Sequence, residues 1–156
     1  MNFDRVLEVL KALEREQVRY VLIGGVALNL HGLARATQDI DLVLALDHEN
    51  VERAKAALRS VFADPDIDDI SAADLAGEHP VIRYVPPQEP FVIDLIARWG
   101  DAFRYEDLEA EEHLIEGVRV RVASPRTLYR MKKDTVRPTD RYDAQALSER
   151  FGFTEE

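Results

Sequence analysis

Cysteine is absent from this 156-residue chain, which removes disulfides, zinc–thiolate centres and iron–sulfur clusters from consideration. Long apolar runs are missing too: no stretch approaches the roughly 20 residues that span a bilayer. The opening Met1-Asn2-Phe3-Asp4-Arg5 lacks a signal peptide's apolar core, so a cytoplasmic protein with no membrane partner is expected. Basic residues are in the minority, 20 Lys and Arg against 30 Asp and Glu, for a net charge of −10. That balance argues against a broad nucleic-acid-binding surface. Repeats, low-complexity tracts and linkers are also lacking, and residues 1–156 read as a single domain. What is present, 46% apolar and 32% charged residues, is the composition of a globular chain with a real core.

The charge is unevenly spread. Residues 61–78 carry Asp64, Asp66, Asp68, Asp69, Asp74 and Glu78 with no basic residue, whereas eight basic groups from Arg119 to Arg141 face only Asp134 and Asp140. An acidic body with one basic segment suggests an anionic ligand held at a defined place.

Periodicity predicts an amphipathic helix over 3–16, with Phe3, Val6, Leu7, Leu10 and Leu13 on one stripe. Tyr20 to Ile23 is a short strand stopped by Gly24-Gly25, and 26–33 is a short helix. A strand over 40–46 and a helix over 49–62 follow. Residues 64–78 have no clear period and read as loop with room for a helical turn. Strands are expected at 81–85 and 91–96, broken by Pro86-Pro87, and a hairpin at 114–122 turning at Gly117. Ser124-Pro125 starts a helix running to about Asp134; Pro138 interrupts, Thr139 caps, and a last helix carries Tyr142, Ala146 and Leu147. The fold class is α/β (α+β): a mixed sheet flanked by helices.

The chemistry concentrates in a few residues. Alternation puts Asp39 and Asp41 on one strand face, and Asp94 breaks the apolar run Phe91-Val92-Ile93-Asp94-Leu95-Ile96. Two carboxylates about 6 Å apart repel by roughly 3 kcal/mol at an effective dielectric near 20, so such a group needs protons, arginines or metals as partners. Oxygen ligands without histidine favour Mg2+ or Mn2+. The alternative is that Asp39 caps its strand and Asp41 pairs with an arginine such as Arg35. A glycosidase pair would instead flank a sugar bond from opposite sides. Gly24-Gly25 allows close backbone approach to a ligand, with the next helix offering its N–H groups to an anion; a tight strand-to-helix turn explains it as well.

Ile23-Gly24-Gly25, a helix, then Asp39-Ile40-Asp41-Leu42 after thirteen residues, with Asp94 on a later strand, resembles the DNA polymerase β-type nucleotidyltransferase superfamily. Within it, Tyr20 to Leu46 and Leu128 to Leu147 are most similar to the AbiEii-type toxin nucleotidyltransferases. Their late-helix lysine and Arg–Asp–Asp cluster match Lys132, Arg137, Asp140 and Asp143. The resemblance implies a minimal nucleotidyltransferase fold with C-terminal helices, segment 119–150 completing the nucleotide site. It implies that Gly24 and Gly25 hold the triphosphate, that Asp39, Asp41 and Asp94 ligate the metals and are catalytic, that Lys132 touches phosphate, and that Asp143 positions nucleotide or acceptor. Arg35 and Thr37, just ahead of Asp39, are further phosphate candidates.

The implied reaction moves a nucleoside monophosphate from a nucleoside triphosphate (NTP) to a hydroxyl on RNA, transfer RNA included, on a protein or on a small molecule. A co-encoded toxin or antitoxin partner is implied too. The alternative is a catalytically weak nucleotide-binding or partner-binding module on the same scaffold. Trp99 and Tyr105 read as core rather than base-stacking residues. His31 reads as a packing or capping residue, and His48, His79 and His113 as isolated.

Overall fold

The computed structural model describes residues 3–78, 80–100, 102–135 and 137–153. Helix α1 (Phe3–Arg15) buries Val6, Leu10 and Leu13 of the predicted stripe together with Val9, while Phe3 at its start is 43% exposed. Strand β1 (Tyr20–Ile23) is buried throughout and passes without a loop into α2 (Gly24–Leu30). Strand β2 (Asp39–Leu44) leads to α3 (His48–Val61), capped by the Asp47 side chain accepting from the Asn50 amide. The acidic segment, read as loop with room for a helical turn, holds two: a 3-10 turn at Pro65–Asp69 and a short α4 (Ala72–Ala76). Asp64 and Ser71 cap these turns, local side-chain bonds that leave no hydrophobic period to read.

Next come β3 (Val81–Tyr84), β4 (Val92–Ile96), and the small pair β5 (Arg98–Trp99) and β6 (Phe103–Arg104). The hairpin β7 (Ala110–Ile115) and β8 (Val118–Ala123) turns at Glu116-Gly117. Ser124 caps α5 (Pro125–Lys132), which stops two residues short of the predicted end. Pro138 does not interrupt but occupies the first turn of α6 (Pro138–Phe151), where its missing N–H costs nothing. Thr139 therefore lies inside the helix and Arg137 holds the cap position.

The main sheet has the order β3-β4-β2-β1-β8-β7. β1 runs antiparallel to β2 and parallel to β8, while β2 runs parallel to β4. The central strands read as near-continuous apolar runs because they are covered on both faces. α1 packs on α3 and β8, and α5 packs on α6.

One buried polar residue pins the strand ends. Asn50 is 0% exposed. Its Oδ1 accepts from Arg19 N at 2.8 Å, and its Nδ2 donates to Arg19 O at 2.9 Å and Ala45 O at 2.8 Å. The start of β1 and the end of β2 are thus tied to α3. Asn50→Ala removes the bonds to Arg19 N and Ala45 O, while Arg19 O keeps the one it accepts from Ala45 N; the change should cost about 2 kcal/mol, read as a lowered urea midpoint at unchanged m value, and a loss under about 0.5 kcal/mol, the usual span for surface changes, overturns this role.

Candidate active site

The register of three strands builds the site. Asp41 pairs across with Ile23 on one side and Asp94 on the other, and Asp94 pairs with Arg83 on β3. Residues in register share a face, so Asp39, Asp41, Asp94 and Arg83 all project from the same side of the sheet. One carboxylate oxygen from each of Asp39, Asp41 and Asp94 lies within 4.8 Å of the others. Asp94 is buried, whereas the Asp39 side chain is 40% exposed.

Burial is the main force that pushes the Asp41 carboxyl up to about 7; its hydrogen bond with Asp94 and the charges of Asp94 and Asp39 add to it, and Lys132 opposes it. Asp41 is thus the strained member of the three. Arg83, absent from the sequence-based expectations, answers the other two. Its Nε and Nη2 bond Asp94 at 3.0 and 3.1 Å, and Nη2 lies 3.5 Å from Asp39. Arg83 sits two residues from Val81 in an unremarkable strand, so only the register reveals its role. Arg35, which the alternative reading paired with Asp41, instead lies 3.4 Å from Asp143 through its Nε. That contact has the distance of an ion pair but not the angle of a hydrogen bond, leaving the buried Nε without a hydrogen-bond partner.

The glycine turn has a definite reason. Gly24 has φ +75°, a left-handed conformation, and a Cβ there would collide with the Asp41 carboxylate. A Cβ on Gly25 would lie 2.6 Å from Thr37 Cβ. Both glycines therefore let the turn close on Asp41 and Thr37. Ile23, the cap position of α2, provides no side-chain cap, which leaves the first N–H groups of the helix without that partner, and Ile23, Gly24 and Gly25 border the cleft.

The cleft is lined by Gly24, Gly25, the three carboxylates, Arg35, Thr37 and Arg83, and from the C-terminal part by Lys132, Arg137 and Asp140. Lys132 is buried and donates to Asp140 at 3.1 Å and Asp143 at 3.0 Å. Asp143 does not line the cleft; it lies beneath, between Lys132 and Arg35. Trp99 borders the cleft with its indole N–H on Met131 O at 3.3 Å. His113 is not isolated, since its ring meets that of His31 with centroids 5.1 Å apart. His79 lies outside the described residues.

Oxygen-only ligands of this spacing suit a hard divalent cation, and a cleft lined by three carboxylates together with Arg35, Lys132 and Arg137 suits a metal-bound polyanion. The model of one family, described as the nucleotidyl transferase AbiEii toxin of a type IV TA system, matches residues 5–156. The crystal structure of ANT(2'')-Ia in complex with adenylyl-2''-tobramycin is similar at 19% identity and a TM-score of 0.56, covering 94% of this chain and 87% of that one. The solution structure of the antibiotic-resistance factor ANT(2'')-Ia is similar at 18% identity and a TM-score of 0.55, covering 96% of this chain and 83% of that one. At these identities the likeness is one of fold. No curated protein matches the sequence significantly.

The Asp41 environment has a pH consequence. An unfolded aspartate loses its proton near 3.8 and the folded one near 7. Between those values the folded state holds a proton the unfolded state has lost, so this group's contribution to stability falls as pH rises through the window. In metal-free protein, Asp41→Asn should therefore gain on the parent by on the order of 2 kcal/mol more at pH 8 than at pH 5. Urea denaturation in a chelator at both pH values checks this; an equal gain at both means that Asp41 ionises normally.

Proposed function

The chain belongs to the AbiEii nucleotidyltransferase family, and from that premise we propose a metal-dependent transfer of a nucleoside monophosphate from an NTP to an acceptor hydroxyl. The observation that carries this reading is the in-register triad Asp39, Asp41 and Asp94, set beside Arg35, Lys132 and Arg137 in one cleft. The three carboxylates fit Mg2+ or Mn2+, since their donors are all oxygen and Asp41 carries an uncompensated burial cost that a cation would relieve. Bound there, the metal supplies charge neutralisation for the pyrophosphate leaving group and acidifies the acceptor hydroxyl.

The chain's own residues account for the rest. Gly24, Gly25 and the uncapped start of α2 receive the triphosphate. Arg35, whose Nε lacks a hydrogen-bond partner, and Lys132 add cationic donors to the phosphates. Asp143 fixes both of these from below and is a positioning residue. The acceptor oxygen attacks the α-phosphorus, the bond to the bridging oxygen of pyrophosphate breaks, and Asp94 takes the acceptor's proton. Residues 1–156 then act as one nucleotidyltransferase domain, with 119–150 completing the nucleotide site.

The acceptor is a hydroxyl on RNA, transfer RNA included, on a protein, or on a small molecule such as the tobramycin adenylylated in the ANT(2'')-Ia complex. The family's toxin–antitoxin description supports a co-encoded partner. A second reading, a nucleotide-binding or partner-binding module with little turnover, has one observation behind it: Arg83 bonded to both Asp94 and Asp39.

With Mg2+ and NTPs labelled at the α-phosphate, the protein should transfer label to RNA, to a co-encoded protein or to itself, whereas γ-label should leave with pyrophosphate. Asp41→Ala should lower transfer by roughly 1,000-fold or more with the circular dichroism spectrum unchanged. Equal transfer by that variant overturns the assignment; nucleotide binding without any transferred label supports the module.

A further inference from the structure

A second set of metal-ligating side chains lies away from the carboxylate triad. His31 is the C-cap of α2, at the opposite end of that helix from the glycine turn and about 10 Å along its axis. Glu111 and His113 lie on β7, two residues apart and so on one strand face. Their cross-strand partners are Val122 and Val120, both buried. An edge strand would be expected to turn apolar residues to this inner face; here it turns a carboxylate and an imidazole inward while Leu114, 73% exposed, points out. One ligand atom from each of His31, Glu111 and His113 lies within 4.8 Å of the others.

We propose that His31, Glu111 and His113 form a binding site for a zinc-class divalent cation, distinct from the magnesium site. The chemistry of the donors selects the metal: two imidazoles and one carboxylate suit Zn2+, whereas oxygen-only sets suit Mg2+. The tautomer is right as well. His31 is 8% exposed and its Nε2 lies 2.8 Å from Ala123 O. A carbonyl can only accept, so Nε2 carries the proton, and the lone pair of the neutral ring sits on Nδ1. A ligand histidine whose other nitrogen donates to a backbone carbonyl is the usual outer-shell arrangement of zinc sites.

The spacing is close to what is needed. Tetrahedral zinc with bonds near 2.1 Å sets its ligand atoms about 3.4 Å apart, and His113 Nε2 already lies 3.2 Å from Glu111 Oε1. His31 is the fixed ligand, while His113 and Glu111, with side chains 25% and 48% exposed, are free to adjust and leave the fourth position to water. Arg150, a nearby cation, donates its Nε to the His31 carbonyl at 3.0 Å and lies over the Phe151 ring, so it is anchored to backbone and ring. The competing explanation is that inward polar residues merely protect an edge strand from pairing.

Isothermal titration of the chelator-stripped full-length protein with zinc chloride, in excess Mg2+, separates the two. The expected result is one zinc per chain with a micromolar or tighter Kd. His113→Ala should weaken it by more than the roughly 10–100-fold typical of outer-shell changes, and Glu111→Gln should weaken it as well. Asp41→Ala should bind zinc as the parent does, and Co2+ should give the visible absorption of a tetrahedral nitrogen–oxygen site. Absence of zinc binding overturns the proposal, as does zinc lost with Asp41→Ala but kept with His113→Ala. Neither result bears on nucleotide transfer, which is read separately with labelled NTP.

Discussion

Parallel pairing of β2 with β4 in the Asp41–Asp94 register is the constraint from which the rest of the site follows. A shift of one residue would turn Asp94 into the apolar layer and bring Ile93 or Leu95 to the cleft. Held in register, three carboxylates must share a face with few protons to share, and their mutual repulsion persists because the strands are locked by a core they do not control. The neighbouring parts answer this stress in different ways: Arg83 reaches across from β3 to two of the carboxylates, and Asp41 keeps its proton to unusually high pH. Even the glycine turn is shaped by it, since Gly24 is the point where the β1–α2 backbone passes over the Asp41 carboxylate.

A second buried polar group joins the C-terminal helices to this centre. Lys132 on α5 holds Asp140 and Asp143 on α6, Thr135 donates to Asp140 at 3.1 Å, and Arg35 approaches Asp143 from the loop before β2. Such networks seldom add net stability over an apolar packing, but losing one member leaves its partners charged and buried. Its value here is geometric: α5, α6 and the 31–38 loop are fixed to one another, and the cations bordering the cleft are held with them.

Much of this was readable before any coordinates. β1 was predicted residue for residue, and α1, β2, α3, β3, β4 and α5 came within one or two, because each has a strong period or a clear stop such as Gly24-Gly25 or Ser124-Pro125. The triad was legible because aspartates interrupt apolar strands, where a charge has no ordinary reason to be. The illegible parts depended on register and on chain-distant pairing. Arg83 has no local signature, and Lys132, Asp140 and Asp143 stood out only by resemblance, since nothing local shows that the lysine bonds both acids. Glu111 and His113 sit 80 residues and more from His31. The turns of the 64–78 segment could not be placed for another reason: they are built by Asp and Ser side chains bonding their own backbone, which leaves no apolar rhythm.

The acidic triad stands on β2 and β4, interior strands of the sheet, and not on its loops. Loops and termini can open while a protein stays native, but interior strands separate only when the whole molecule does. The carboxylate cluster therefore has no partially melted version of itself. Heating would extinguish its geometry and the native state in one event, and any cation resident there would act as a clamp on the entire fold.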